Sequence, residues 1–310
     1  MNPAHSRHTC RHAFTLAAVL AAAVCTGCAR QSGGDDPGMI ARGPVPEYAV
    51  VAGAYNARVA RLERLRANTS LVIHAKSSEG KRLNEQVEAN LQFVLPRSVA
   101  LRIDKVGQTV FYLGSNDERY WWMDLTDNKI AMVGIHEKAT AEKAAAFGLP
   151  VHPLDLLELL GVIPMPGVGE GGAPVVEWSR DGRRLGITTD QRWGGSRRIF
   201  MDPETYDPMR IELLDGMGNV AVAAALSRYQ SVDVDGDARA RARIAGRLDI
   251  EAPGRETTVI MSVYDPENSG HMKQTPFDLE ALLRAYGVKD VVDIDRDDGP
   301  RASGPGRGGK

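Results

Sequence analysis

From Glu47 onward the spacing of apolar residues changes several times, and each change marks an element. Val51, Ala54, Tyr55, Val59, Leu62 and Leu65 recur at intervals of three and four, with Arg58, Arg61, Glu63 and Arg64 mostly on the other side. That period predicts an amphipathic helix over 47–66. Beyond it the period drops to two. In Glu85–Leu95, Val87, Ala89, Leu91, Phe93 and Leu95 alternate with Glu88, Asn90, Gln92 and Val94, and Val99, Leu101 and Ile103 alternate with Ala100, Arg102 and Asp104. Thr109–Leu113, Arg119–Leu125 and Lys129–Ile135 follow, separated by Gly114-Ser115-Asn116-Asp117 and Thr126-Asp127-Asn128. Residues 69–135 therefore read as an antiparallel meander, because turns this short leave no room for parallel crossovers.

The second half repeats the theme after a helical interlude. Ala139–Phe147 and Pro153–Leu160 predict two short helices, the latter with Leu154, Leu157 and Leu160 along one flank. Gly161–Pro174 reads as a mobile loop that carries apolar residues. Strands are expected at 175–180, 184–189, 197–201, 209–214, 220–229, 238–250 and 256–264, and a last helix at 277–286. About a dozen antiparallel strands with few helices point to a mainly β (α+β) fold, economically a single curved sheet with helices over one face.

The first 28 residues hold all three cysteines and form a leader. Met1–His12 is basic, with Arg7 and Arg11, and Ala13–Val24 is an uncharged apolar run too short to span a membrane. The closing Thr26-Gly27-Cys28 resembles a bacterial lipobox, which implies lipid attachment at Cys28; a secreted chain cleaved near Ala29 is the alternative. Residues 29–46, rich in Gly, Pro and Asp, read as a flexible tether, 47–295 as the folded domain and 296–310 as a disordered tail. A mature chain without further cysteines has no internal disulfide and no thiol nucleophile. A net charge of −2 supplies no global basic field for nucleic acid.

Motifs for catalysis are absent. His74, His136, His152 and His271 are far apart, with no carboxylate at metal or triad spacing, and read as isolated surface or strand histidines. Asp233–Asp237 resembles a calcium loop, but its glycine comes too early and Ile244 stands where a bidentate Glu belongs, so a turn is expected. No phosphate loop, Gly-x-Ser-x-Gly elbow or His-Glu-x-x-His occurs. The reading is a binding protein rather than an enzyme, with no cofactor and no metal. Arg239, Arg241 and Arg243 alternate along one strand, either as a solvated outer face or as a contact for anionic headgroups or an acidic partner.

Several segments in order resemble the outer-membrane lipoprotein carrier and receptor family, the Lol-type half-barrel. They are Leu62–Arg66; Asn84-Glu85-Gln86 opening a strand that ends at Leu95-Pro96; Leu101–Gly107; and Gly114-Ser115-Asn116 running into Tyr120-Trp121-Trp122. The second half adds Phe200–Thr205, Pro208–Asp215, Gly218 and Leu226–Tyr229. The resemblance implies a half-open β-barrel whose concavity holds lipid or lipoprotein acyl chains. Candidate lining residues are Val87, Leu91, Phe93, Leu101, Ile103, Phe111, Trp121, Met123, Met132 and Leu213, with the inward parity left open because a one-residue slip exchanges the whole set. Leu154, Leu157, Leu160, Ile163 and Met165 are the candidate lid. The implied role is lipid or lipoprotein carriage, reception or insertion by an exported chain anchored to a bacterial membrane facing the periplasm. Ala29 after Cys28 favours the outer membrane. The alternative is an envelope regulatory or scaffolding lipoprotein that uses the same fold to contact a partner protein.

Overall fold

The computed structural model of the chain describes residues 43–76, 82–140, 143, 152–167, 169, 174–191, 195–234, 242–268, 270 and 272–296. The chain divides into Met1–Pro37 and Gly38–Lys310, and the first unit, with the leader and Cys28, lies outside the described residues. So do most of the helix expected at 139–147, the turn at 235–237, Arg239, Arg241, His271 and the tail beyond Arg296.

Among the described residues there are three α-helices and fourteen strands. The helices are α1 (Tyr48–Val59), α2 (Pro153–Leu159) and α3 (Leu279–Tyr286). The first-half strands are β1 (Arg64–Lys76), β2 (Arg82–Val94), β3 (Ser98–Lys105), β4 (Gln108–Ser115), β5 (Arg119–Asp124) and β6 (Ile130–Ile135). The rest are β7 (Val175–Trp178), β8 (Leu185–Asp190), β9 (Ser196–Met201), β10 (Pro208–Leu214), β11 (Val220–Val234), β12 (Ala242–Ala252), β13 (Thr257–Asn268) and β14 (Asp290–Asp293). They form one open, curved sheet in the order β14-β6-β5-β4-β3-β2-β1-β13-β12-β11-β10-β9-β8-β7. The mainly β, half-open barrel with short covering helices is thus the architecture of the described chain.

Two expectations need correction. The first helix stops at Val59, with one tighter turn over Ala60–Leu62, and does not run to Arg66. From Arg64 the chain is already β1, where Leu65, Ala67, Thr69 and Leu71 are buried at alternate positions. Because β1 is hydrogen-bonded to β2 on one edge and β13 on the other, both ladders override a helical spacing that Leu62 and Leu65 also satisfy. The sheet is also not wholly antiparallel. The four residues of β14 pair parallel to β6, and β11 touches β13 in parallel register at its end. A four-residue Asp-Val-Val-Asp segment is too short to show a period.

Each face of the sheet has its own core. The larger lies under α1 and α2 and runs nearly the full width of the sheet; the smaller lies on the opposite face, where Tyr112, Trp121 and Met123 meet Phe277, Leu279 and Leu282 of the α3 region. Helix α3 begins at Asp278, whose carboxylate accepts the Ala281 N–H at 3.0 Å, and ends at Gly287 in the left-handed conformation (φ 67°) that glycine adopts without strain. No helix among the described residues is long and apolar enough to cross a membrane.

Candidate functional site

The register of the strands builds a broad, mostly apolar floor on the face under α1 and α2. One cross-strand row reads Val176, Ile187, Ile199, Ile211, Ala224, Ile250, Val259 and Ile73, each residue the partner of the next, from β7 to β1. A second row, Ala67, Leu91, Leu101, Leu113, Trp122 and Met132, continues toward the other edge. All fourteen belong to or pack against the larger core. Such rows arise because alternation on every strand is kept in phase through antiparallel partners.

The structure places eight of the ten candidate lining residues together. Val87, Leu91, Phe93, Leu101 and Leu213 are buried in the larger core, and Ile103, Phe111 and Met132 are partly buried against it. Trp121 and Met123 are a correction, since both are buried in the smaller core on the opposite face. On β5 the side chains alternate, so Tyr120 and Trp122 face α2 while Trp121 and Met123 face α3. Sequence alone could not choose the parity, because all four are large and apolar.

The five candidate lid residues pack against the same core. Leu154, Leu157, Leu160 and Met165 are buried and Ile163 is partly buried, all in the larger core. Helix α2 reaches across the open side of the sheet, touching β3 and β4 from one half and β10 from the other. At its C-terminal end Glu158 forms a buried ion pair with Arg197 of β9. Arg197 also donates to the carbonyls of Ile163 and Pro164, both at 3.3 Å. From α1, Tyr55 donates its hydroxyl proton to the carbonyls of Gly161 (2.9 Å) and Ile163 (3.1 Å), and Arg58 donates to Gly161 at 2.5 Å. Burial pushes the Tyr55 hydroxyl above its ordinary pKa, which keeps this donor protonated. Asn56 pairs with both backbone groups of Met165, at 2.8 and 3.0 Å. The cover is therefore apolar beneath and held along its rim by polar side chains whose sequence positions give no sign of this role. Only tertiary proximity shows them, since Tyr55 and Gly161 are 106 positions apart.

The other end of α2 holds a second correction. His136 and His152 are not isolated: their ring centroids lie 5.7 Å apart, and His152 is fully buried, 4.3 Å from the Tyr120 ring and 6.4 Å from Trp122. His152 Nδ1 accepts the Leu154 N–H at 3.1 Å, while Asp155 accepts the His152 N–H at 3.2 Å, a reciprocal cap on the helix. Burial, with a smaller contribution from Asp295, pushes the Tyr120 hydroxyl up. The signal was local after all: His-Pro-Leu-Asp is a cap residue, a proline at the first helical position and an acid at the third. Of the remaining histidines, His74 is exposed on β1. Among the described residues no three His, Cys, Asp or Glu side chains gather in a metal-binding group.

The opposite face is polar over β1–β4. A groove of about 1090 Å³ is lined there by residues that include Asn68, Ser70, Gln86, Glu88, Asn90, Arg102, Asp104 and the half-exposed Tyr264. Of the arginine stripe, Arg243 is described; it pairs with Asp207 at 2.6 Å and lies over the Tyr229 ring. The two aspartates of the second-half motif organise turns. Asp202 accepts the Glu204 and Thr205 N–H groups at 2.8 and 2.9 Å, and Asp215 accepts those of Met217 and Asn219, both at 2.9 Å.

No protein-family model matches the chain, and no curated protein matches it. Solved structures similar to it include a DUF1329 family protein from Desulfovibrio piger, at 12% identity and a TM-score of 0.47 over 75% of this chain and 98% of that one. Another is a putative outer membrane lipoprotein-sorting protein domain from Vibrio parahaemolyticus, at 12% identity and a TM-score of 0.47 over 74% and 97%. A third is a LolA superfamily protein from Nitrosomonas europaea, at 9% identity and a TM-score of 0.46 over 74% and 98%.

Proposed function

We propose that this chain is an exported lipoprotein, anchored through Cys28, that binds lipid or lipoprotein acyl chains on the apolar floor beneath α2 and residues 161–165. Its role is carriage or reception of that cargo at the outer membrane. The observation that carries the reading is the broad apolar floor, covered among the described residues by α1, the seven-residue α2 and the strap 161–165 and not by a second sheet. In the structure the chain's own side chains fill the floor, so cargo enters by exchange with the cover. Magnitudes permit that exchange. An acyl chain of about a dozen methylenes recovers on the order of 10 kcal/mol at roughly 0.8 kcal/mol each. Exposing four or five leucine-sized side chains costs about as much, at roughly 2 kcal/mol apiece. The test is mass spectrometry of a Cys28→Ala protein purified without detergent, followed by titration with a fluorescent fatty-acyl probe. Co-purifying lipid and saturable uptake are expected. An empty protein that takes up no probe overturns the reading.

The polar groove over β1–β4 favours a second reading, contact with an envelope protein. Glu88 and Arg102 on its wall suit a polar partner. Crosslinking in cells from positions 88 and 102 should then capture one defined partner, and charge reversal there should abolish the capture while leaving probe uptake intact.

A further inference from the structure

We propose that the polar groove over β1–β4 binds a linear, uncharged oligosaccharide, on the face opposite the apolar floor and independently of any acyl cargo there. Strand register lays out the site. One cross-strand row reads Tyr264, Asn68, Asn90, Arg102 and Tyr112, each the partner of the next from β13 to β4. Beside it runs a second row, Ser262, Ser70, Glu88, Asp104 and Thr109, across the same strands. At a strand spacing of about 4.8 Å the first row is about 19 Å long, which gives room for about four pyranose rings in line. The groove holds about 1090 Å³, which suits a ligand of that size.

The side chains in these rows select the ligand class. The charged residues lining the groove are Glu88, Arg102, Asp104 and Lys105, two of each sign. Arg102 pairs with Asp104 at 3.0 Å and Lys105 with Glu85 at 2.7 Å, so neither cation is left to hold an anionic group. What remains is amide, hydroxyl and carboxylate. Gln92 Nε2 donates to Asn90 Oδ1 at 2.7 Å, and Asn90 Nδ2 donates to Asn68 Oδ1 at 3.3 Å. The amides are thus held in line before a ligand arrives. Each offers a donor and an acceptor side by side, as does each pair of neighbouring sugar hydroxyls, and the exposed Glu88 carboxylate accepts from such hydroxyls. Aromatic rings stand at both ends. Tyr264 is 51% exposed at one. At the other, a pocket of about 290 Å³ shares Asn90 and Arg102 with the groove and is walled by Leu282 and Tyr286. Such rings give the apolar face of a pyranose a surface to stack on while the hydroxyls at its edge reach the amides. A protein partner and a glycan would compete for this groove, and the balance of paired charges favours the glycan.

The test is a titration of the isotope-labelled Cys28→Ala chain, purified without detergent, followed by calorimetry and by NMR of the side-chain amides. Cellohexaose and chitohexaose are the uncharged probes, and hexagalacturonate is the acidic comparator. At least one uncharged probe should shift the Asn68 and Asn90 amides saturably. Hexagalacturonate should bind at least about tenfold more weakly, because its carboxylates meet no free cation. Tyr264→Ala and Asn68→Ala, both at exposed positions, should each weaken binding about tenfold, through loss of a stacked ring or a hydrogen bond. No saturable shift with either uncharged probe overturns the proposal. So do equal binding of hexagalacturonate, shifts confined to α2 and the apolar floor, and undiminished affinity in either variant. A protein captured by crosslinking from positions 88 and 102 that excess hexasaccharide does not displace overturns it as well. Acyl-probe uptake by the same protein should be unchanged at saturating hexasaccharide, since groove and floor lie on opposite faces, so its failure bears on the cargo reading alone.

Discussion

The indole of Trp121 occupies the space a side chain on Gly114 would need: a Cβ built on that glycine would stand 2.5 Å from ring atoms Cε2 and Nε1. The two residues are register partners on β4 and β5. A glycine placed beside an aromatic ring in a sheet loses no packing, because the ring covers the bare backbone. Gly114→Ala should therefore force the fully buried indole aside and cost about 1–3 kcal/mol. Thermal unfolding should fall by several degrees. An unchanged midpoint would mean the smaller core is loose enough to absorb a methyl group.

The buried pair of Arg197 and Glu158 makes a sharper prediction. Removing one partner leaves an uncompensated charge that costs about 3–5 kcal/mol, whereas replacing both with apolar residues is close to neutral. Arg197→Met should be strongly destabilised in urea unfolding, and the double variant Arg197→Met, Glu158→Leu should recover most of the loss. If the pair also latches the cover, the double variant takes up acyl probe faster than the wild-type chain at equal stability.

Val106 sits at the tip of the β3–β4 hairpin with φ 51° and 97% exposure, followed by Gly107 at φ 76°. Two consecutive positive φ values define the turn that favours Asn-Gly, and a β-branched residue is strained there. Val106→Asn should raise stability by about 1 kcal/mol with no loss of buried surface. A decrease would show that the valine is not strained in this turn.

Asp215 gives a pH signature. Hydrogen bonds from the backbone and side chain of Asn219, with those from Met217 and Gly218, hold its carboxyl below the usual carboxylate range. A folded pKa depressed below the unfolded value near 3.9 means its stabilisation is complete above about pH 4 and is lost as pH falls through the lower folded value. Asp215→Ala should lower the urea midpoint at pH 7 and differ little from the wild-type chain at pH 2. A gap that persists in acid would assign the effect to the turn's shape and not to the charge.

What the sequence determined by itself is the local physics. Alternation in 85–95 and 99–103, the Asp-Pro-x-Thr and Leu-Asp turns and the leucine flank of Pro153–Leu160 each act over a few residues. Strand, turn and helix could therefore be read at these places without knowing what packed on them. Tertiary structure decided everything that depends on partners remote in the chain. It turned Leu65 from a helix into a central strand, because two ladders outweigh one helical spacing. It sent Trp121 and Met123 to one face and Tyr120 and Trp122 to the other, a choice that hydrophobicity cannot make when both parities are apolar. It brought His152 against Tyr120 and His136, and Arg197 against Glu158, 39 positions away. Burial and ion pairing at those positions are properties of the assembled sheet and its cover, and no short stretch of residues contains them.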